Sequence, residues 1–240
     1  MSIHLIGGGW DGEAASAVYG PFLAEAGDAP TVACLLIDEG DGAGYFARFE
    51  AALRGVDPSC VPEPVLVPVG GAFDPAVLEG ADALLVGGGL TPAYHDALAG
   101  VLDTVTLRIM RGLPYAGFSA GASVAAEHAV VGGWLSDGIP VCPGDAAEDL
   151  EEVDVRPGLG LLPGAVEVHT AQWGTLSRLV DTVARGRARH GVALDENTLL
   201  TVEGDRARVS GRGRVHVVRT GHAAGEAVVR AYGAGEEFAL

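Results

Sequence analysis

The chain has 240 residues, 48% hydrophobic and 20% charged, with a formal net charge of −17, and a chain of that length and apolar content folds around one core or two rather than staying disordered. All 15 basic residues are arginine, which excludes a P-loop lysine, a Schiff-base lysine and a lysine general base. The negative charge argues against nucleic acid and against membrane surfaces as partners, since both call for a basic face.

Cys34, Cys60 and Cys142 form no CxxC pair, so neither a disulfide framework nor a four-thiolate zinc site can be assembled, and a reducing, cytoplasmic compartment is expected. No apolar run approaches the roughly 18 residues of a membrane span, and no basic leader precedes the first apolar run.

Along the chain, short apolar, β-branched runs alternate with segments of helical period, the pattern of βα units around a mostly parallel sheet. Runs at 3–6, 32–37, 65–69, 83–86 and 115–118 read as buried strands, because short apolar runs bounded by turn residues suit a sheet covered on both faces. Helices are expected over 13–26, 45–54, 92–111 and 119–128, the third opened by Thr91 as N-cap and Pro92 in the first turn. The Gly-, Pro- and acid-rich stretch 130–164 reads as loop and irregular structure. A helix over 172–185 follows, then short antiparallel strands at 191–194, 199–202, 207–209, 215–219 and 227–231 that extend or edge the sheet. Without a linker-like composition shift or an internal repeat, the expectation is a single α/β domain over 1–240: a mostly parallel sheet flanked by helices, with antiparallel strands added by the C-terminal part.

The sharpest chemical signal is Gly117-Phe118-Ser119-Ala120-Gly121, a G-x-S-x-G where a strand stops and a helix starts, the setting of a nucleophile elbow. Small neighbours let the serine backbone turn sharply and lift its hydroxyl above the sheet; the plainer reading is a Gly-rich turn in which Ser119 only caps a helix. Such an elbow supplies one oxyanion donor, the Ala120 N–H, and the glycines after the strand at 83–86 offer a second through Gly88 or Gly89. Among seven histidines, His169 follows an apolar run and precedes a helix, which places it at a strand's carboxyl end; His95, on the helix after the triple glycine, is the second candidate. Asp137, Glu167 and Asp195 are candidate acids, and spacing does not choose among them. Gly7-Gly8-Gly9-Trp10-Asp11-Gly12 fits the dinucleotide G-x-G-x-x-G, with Asp38 or Glu39 as its acidic partner. No His-Glu helix motif, EF-hand loop or Cys/His cluster is present, so neither a metal nor another cofactor is expected.

Residues 3–9, Val86-Gly87-Gly88-Gly89, Phe118-Ser119-Ala120-Gly121-Ala122, Gly158-Leu159-Gly160-Leu161-Leu162 and Ala193-Leu194-Asp195-Glu196-Asn197-Thr198 together resemble, in that order, landmarks of the dipeptidase E and cyanophycinase family of serine peptidases. The resemblance implies an α/β fold related to class I glutamine amidotransferases and a triad running Ser, acid, His along the chain. Residue by residue, it implies Ser119 as nucleophile, His169 as base, Asp137 ahead of Ile139-Pro140-Val141 as the acid, and Gly88 and Ala120 as oxyanion donors, with Gly89 and Leu90 against the substrate. Leu90 stands where the family has Asn or Gln, and Thr170-Ala171-Gln172-Trp173 follow His169 in place of carboxylate-binding arginines; Arg178 comes later. The expected function is a serine exopeptidase acting on short peptides from the amino end through an acyl-enzyme, with a homodimer implied by the resemblance. The alternatives are a β-aspartyl-arginine isopeptidase of the cyanophycinase kind and a nucleotide-binding or non-catalytic sensor protein built on the N-terminal glycine loop.

Overall fold

The computed structural model describes residues 2–223 and 225–240. Its first half is a succession of βα units: β1 (Ile3–Ile6), α1 (Ala15–Ala26), β2 (Thr31–Asp38), α2 (Gly42–Val56), β3 (Val61–Pro68), β4 (Ala83–Val86), α3 (Thr91–Ala99), α4 (Leu102–Met110), β5 (Tyr115–Phe118) and α5 (Ala120–Ala125). β1, β4 and β5 are buried at every position, as strands covered on both faces must be. They pair in parallel in the order β1-β5-β4-β2-β3. The helix expected over 92–111 is two helices, broken at Gly100 and Val101. The one expected over 119–128 ends early, because Ala126 turns to extended backbone and opens a strand.

The larger departure concerns 130–164, expected as loop. This region contains the last three residues of β6 (Ala126–Gly132), all of β7 (Leu135–Ser136), β8 (Ile139–Pro140) and β9 (Asp154–Pro157), and the start of β10 (Leu162–Glu167). The strands are short and separated by Gly132, Gly133, Gly158 and Gly160, which hides them from a reading of composition. Beyond them come α6 (Thr170–Trp173), α7 (Leu176–Ala184), β11 (His190–Leu194), β12 (Thr198–Glu203), β13 (Arg206–Gly211), β14 (Arg214–Thr220), β15 (Ala227–Gly233) and β16 (Glu237–Ala239).

The strands form two main sheets instead of one. β12, β13 and β16 continue the first beyond β1, giving eight strands, while the second runs β15-β14-β11-β10-β6-β9. Between them lies α5, buried at all six positions, and a shared apolar core takes in Leu5, Leu84 and Tyr115 from one sheet and Leu162, Val166 and Val192 from the other. Each such large side chain contributes roughly 1.5–3 kcal/mol by leaving water. The sequence Ala-Gly-Ala-Ser-Val-Ala of α5 is what a helix squeezed between two sheets allows: a Cβ on Gly121 would collide with the Val86 carbonyl, and one on Gly117 with the Gly121 carbonyl. Among the described residues no helix is long and apolar enough to cross a membrane.

Candidate active site

Open α/β sheets place their chemistry beyond the carboxyl ends of the strands, and here six strand ends meet. Glu39 follows β2, Gly87 and Gly88 follow β4, Ser119 follows β5, His169 stands two residues after β10, and Glu196 two after β11. The sixth, β1, holds the others in register through three successive carbonyls. Ile6 accepts from the Ser119 N–H at 2.8 Å, Gly7 from the His169 N–H at 3.1 Å, and Gly8 from the Asn197 N–H at 2.7 Å. Side chains are excluded there: a Cβ on Gly8 would overlap the His169 ring, and one on Gly9 would meet the Asn197 carboxamide at 2.6 Å. The glycine run, which also fits a dinucleotide loop, forms here a strand end along which the segments bearing Ser119, His169 and Asn197 are laid side by side.

Ser119 has φ 53° and ψ −111°, a conformation costly to a residue with a Cβ and retained where surrounding structure imposes it. Its Oγ lies 2.7 Å from His169 Nε2, and His169 Nδ1 lies 2.8 Å from Glu196 Oε1. Because an ionised carboxylate only accepts, the ring carries its proton on Nδ1 and offers the lone pair of Nε2 to the serine. His169 is itself left-handed, φ 53° and ψ 33°, and the Trp173 indole stacks on it at 3.9 Å with an interplanar angle of 8°, fixing the plane of the imidazole. Burial pushes the His169 pKa below its ordinary value, against the raising effect of Glu196.

The serine opens onto a cleft of about 650 Å³. One wall is aromatic: Trp10, Tyr45 and Phe118 line it, and with the buried Phe49 behind them they meet edge-on or tilted at 4.8–6.0 Å. Gly88 packs against the elbow, since a Cβ there would stand 2.9 Å from that of Ser119. Neither the Gly88 nor the Ala120 N–H donates to a backbone carbonyl of the described residues. The opposite wall is the segment 144–149, which brings Asp145, Glu148 and Asp149 to the cleft. Arg178 holds that wall: its guanidinium clasps Glu167 at 2.7 and 2.9 Å and donates to the carbonyls of Gly133 at 2.9 Å and Ala146 at 2.7 Å. A buried ion pair adds little net stability; this one ties the end of β10, which leads to His169, to the acidic wall.

With this geometry in view, comparison with known proteins is decisive about kinship. The profile of peptidase family S51 matches residues 40–210. The chain belongs to peptidase family S51. A cyanophycinase from Trichormus variabilis is 33% identical over 138 residues, covering 54% of this S51 member and 43% of the relative, so the match spans less than half the length of that relative. Among solved structures, a peptidase from an acI-B1 Actinobacterium has the same fold at a TM-score of 0.60 and 18% identity, covering 100% of this chain and 96% of its own. A structure from Listeria monocytogenes EGD-e matches at 0.59 and 15%, covering 88% and 98%.

Of the residues expected from sequence, Ser119, His169, Gly88, Gly89, Leu90 and Ala120 come together at this cleft. Asp137 does not. It lies in the turn between β7 and β8 with a side chain 73% exposed and pairs with Arg185, while Glu196 occupies His169; the arrangement in this S51 member runs Ser, His, Glu along the chain rather than Ser, Asp, His. The other candidate acids are also engaged elsewhere: Glu167 by Arg178, and Asp195 by the N–H groups of Ala171 at 3.1 Å and Arg214 at 2.9 Å. His95 donates to the Pro157 carbonyl at 2.9 Å, away from the serine. The sequence reading reaches this strand end through Asp195 but passes over Glu196, and it expects β11 to be antiparallel. β11 runs parallel to β10, so its carboxyl end reaches the same rim; the signal available in sequence was the second carboxylate of Asp195-Glu196, just past a strand.

Proposed function

We propose that this protein is a serine exopeptidase that acts on short peptides from the amino end. Ser119 Oγ attacks the scissile carbonyl carbon as its proton passes to His169 Nε2, and the oxyanion turns to the Gly88 and Ala120 N–H groups. Glu196 holds the reactive tautomer and stabilises the imidazolium. His169 then returns the proton to the leaving amine nitrogen as the C–N bond breaks, leaving the acyl group on Oγ. A water gives a proton to His169, attacks the acyl carbon and frees Ser119, which recovers that proton. The observation that carries this reading is the Ser119–His169–Glu196 hydrogen-bond chain at a strained elbow facing an open cleft.

The amino-end preference is supported by the cleft's lining, which includes five carboxylates and no arginine. The same lining suits arginine side chains, and with the 33%-identical cyanophycinase it favours β-aspartyl-arginine isopeptide cleavage as the second reading. Incubation with short peptides and with the aspartyl-arginine polymer, followed by mass spectrometry, tests both. Release of amino-terminal residues or dipeptides is expected. Release of β-aspartyl-arginine units selects the second reading, and internal cleavage alone rejects both.

The proton transfer sets a pH dependence. His169 must be neutral to act as base, so kcat/KM falls as pH drops through its free-enzyme pKa. Burial holds that pKa below the ordinary value, so the acid limb is expected to be centred below the usual imidazole value of about 6.5. Glu196→Gln removes a raising influence and should move the limb lower still. A limb centred above the ordinary value contradicts the assignment of His169 as base.

A further inference from the structure

The turn after His169 is built around the imidazole. α6 is only four residues long, Thr170–Trp173, and is flanked by two left-handed residues, His169 at φ 53° and Gly174 at φ 70°. The Trp173 N–H donates to the His169 carbonyl at 2.8 Å, so one helical turn carries the indole back over the ring, 3.9 Å away and within 8° of parallel. The same turn is tied to the segment that bears the acid. The Gln172 side-chain oxygen accepts from the Glu196 N–H at 3.0 Å, and Asp195 accepts from the Ala171 N–H at 3.1 Å. Thr175 Oγ1 closes the far side by donating to the Val168 carbonyl at 2.6 Å.

Burial does not account for the indole. Trp173 is 43% exposed, while His169 beneath it is only 6% exposed; an indole placed for its hydrophobic contribution alone would be taken further from water. What the stacking supplies is specific to the ring it covers. A hydrogen bond at each nitrogen, to Ser119 and to Glu196, defines a line through the imidazole and leaves the tilt about that line to packing; the parallel indole fixes it. An indole face also attracts a cation within about 6 Å of its centroid, and His169 becomes a cation when Ser119 gives up its proton. The other charged groups around the ring are Glu196 on Nδ1, Glu167 with Arg178 clasped to it, and Glu39, Asp145, Glu148 and Asp149 in the lining of the cleft. Replacing Trp173 alters none of them.

We infer that Trp173 is a positioning residue for His169: its indole holds the imidazole in line with Ser119 and takes the positive charge against its π face as the proton arrives. The inference rests on the peptidase reading above and deepens it by adding a residue that acts through the base.

The test compares Trp173→Phe, which keeps a π face, with Trp173→Leu, which keeps apolar cover without one, each verified to be folded by a thermal melt. A fluorophosphonate reports the chemistry: Ser119 Oγ bonds to phosphorus, fluoride leaves, and the serine proton passes to His169. The labelling rate at saturation and the half-saturating concentration are measured separately. Trp173→Leu is expected to lower the saturated rate about tenfold, the factor a desolvated cation–π contact supplies, with half-saturation unchanged, and Trp173→Phe to restore most of it. Independently of activity, the His169 imidazole is titrated by NMR, its signal identified as the one lost in His169→Gln. An indole face favours the charged ring, so Trp173→Leu should lower the His169 pKa by up to about one unit, and the acid limb of labelling should follow. Admitting water would act the other way, because burial holds this pKa down. An equal or higher pKa in Trp173→Leu overturns the inference. So does a change in half-saturation with the saturated rate intact, which would make Trp173 a substrate contact. A parent protein that takes no label removes the peptidase reading, while the titration still decides the role of Trp173, so the two failures are distinguishable.

Discussion

Replacing Ser119 by alanine is expected to lower kcat for peptide hydrolysis by about 10⁴-fold or more, with KM little changed. The substitution removes a single oxygen, the one 2.7 Å from His169 Nε2. Alanine carries the same Cβ at φ 53° as serine does, so the elbow's backbone cost is not altered and the fold is retained. What remains is the oxyanion pair and the cleft, which can still bind substrate and stabilise attack by water; residual catalysis above the uncatalysed rate is expected for that reason. Steady-state kinetics, with a thermal melt to verify folding and a fluorophosphonate to verify loss of labelling, make the measurement. Hydrolysis within about tenfold of the parent, or labelling that persists at another serine, would refute Ser119 as nucleophile.

The second large effect is expected at Glu196. Glu196→Gln keeps the size of the side chain and can keep a hydrogen bond to His169 Nδ1, but it removes the negative charge that stabilises the imidazolium and can favour the wrong tautomer. A loss of about 10³- to 10⁴-fold in kcat is expected. Asp137→Ala is the matched comparison, because the resemblance pointed there. Its carboxylate is 73% exposed and meets Arg185 at the surface, away from His169, where solvent and salt screen the pair, so kcat should stay near that of the parent. The reverse pattern, with Asp137→Ala inactive and Glu196→Gln active, would restore the order Ser, acid, His.

How far the site was legible in the sequence depends on how local each part is. The elbow is a strand, a turn and a helix within ten residues, and its small neighbours are needed because α5 is wedged between two sheets. That demand leaves its mark in the sequence itself. Four of the first five strands are read correctly for a similar reason, each being a short apolar run buried on both faces, whereas β3, an edge strand largely exposed, is read only over its second half. The second sheet leaves a weaker trace, since its strands are interrupted by glycines and interleaved with acidic residues that face solvent or the cleft. Composition there resembles a loop, and only the pairing of β6 with β9 and β10 distinguishes it.

The glycine run at 7–12 is instructive because the sequence offers two readings of its start, a landmark of the peptidase family at 3–9 and, as an alternative, a dinucleotide loop. Pattern alone cannot tell a phosphate loop from a strand end where glycines make room for an imidazole, because both require backbone without a Cβ. Contacts decide, and here they are His169 and Asn197.

By itself, then, the sequence determined the alternating α/β plan and singled out Ser119 and His169, since each is written in a stretch short enough for hydrophobic period and turn chemistry to read. Only the tertiary structure decided which acid orients that histidine, because the answer turns on β11 lying parallel to β10, a pairing between distant segments that no local pattern encodes. It likewise decided the character of the cleft: Arg178 draws the wall at 144–149 inward until Glu148 stands beside Glu39 at the head of α3, and charge becomes a property of the site rather than of the composition.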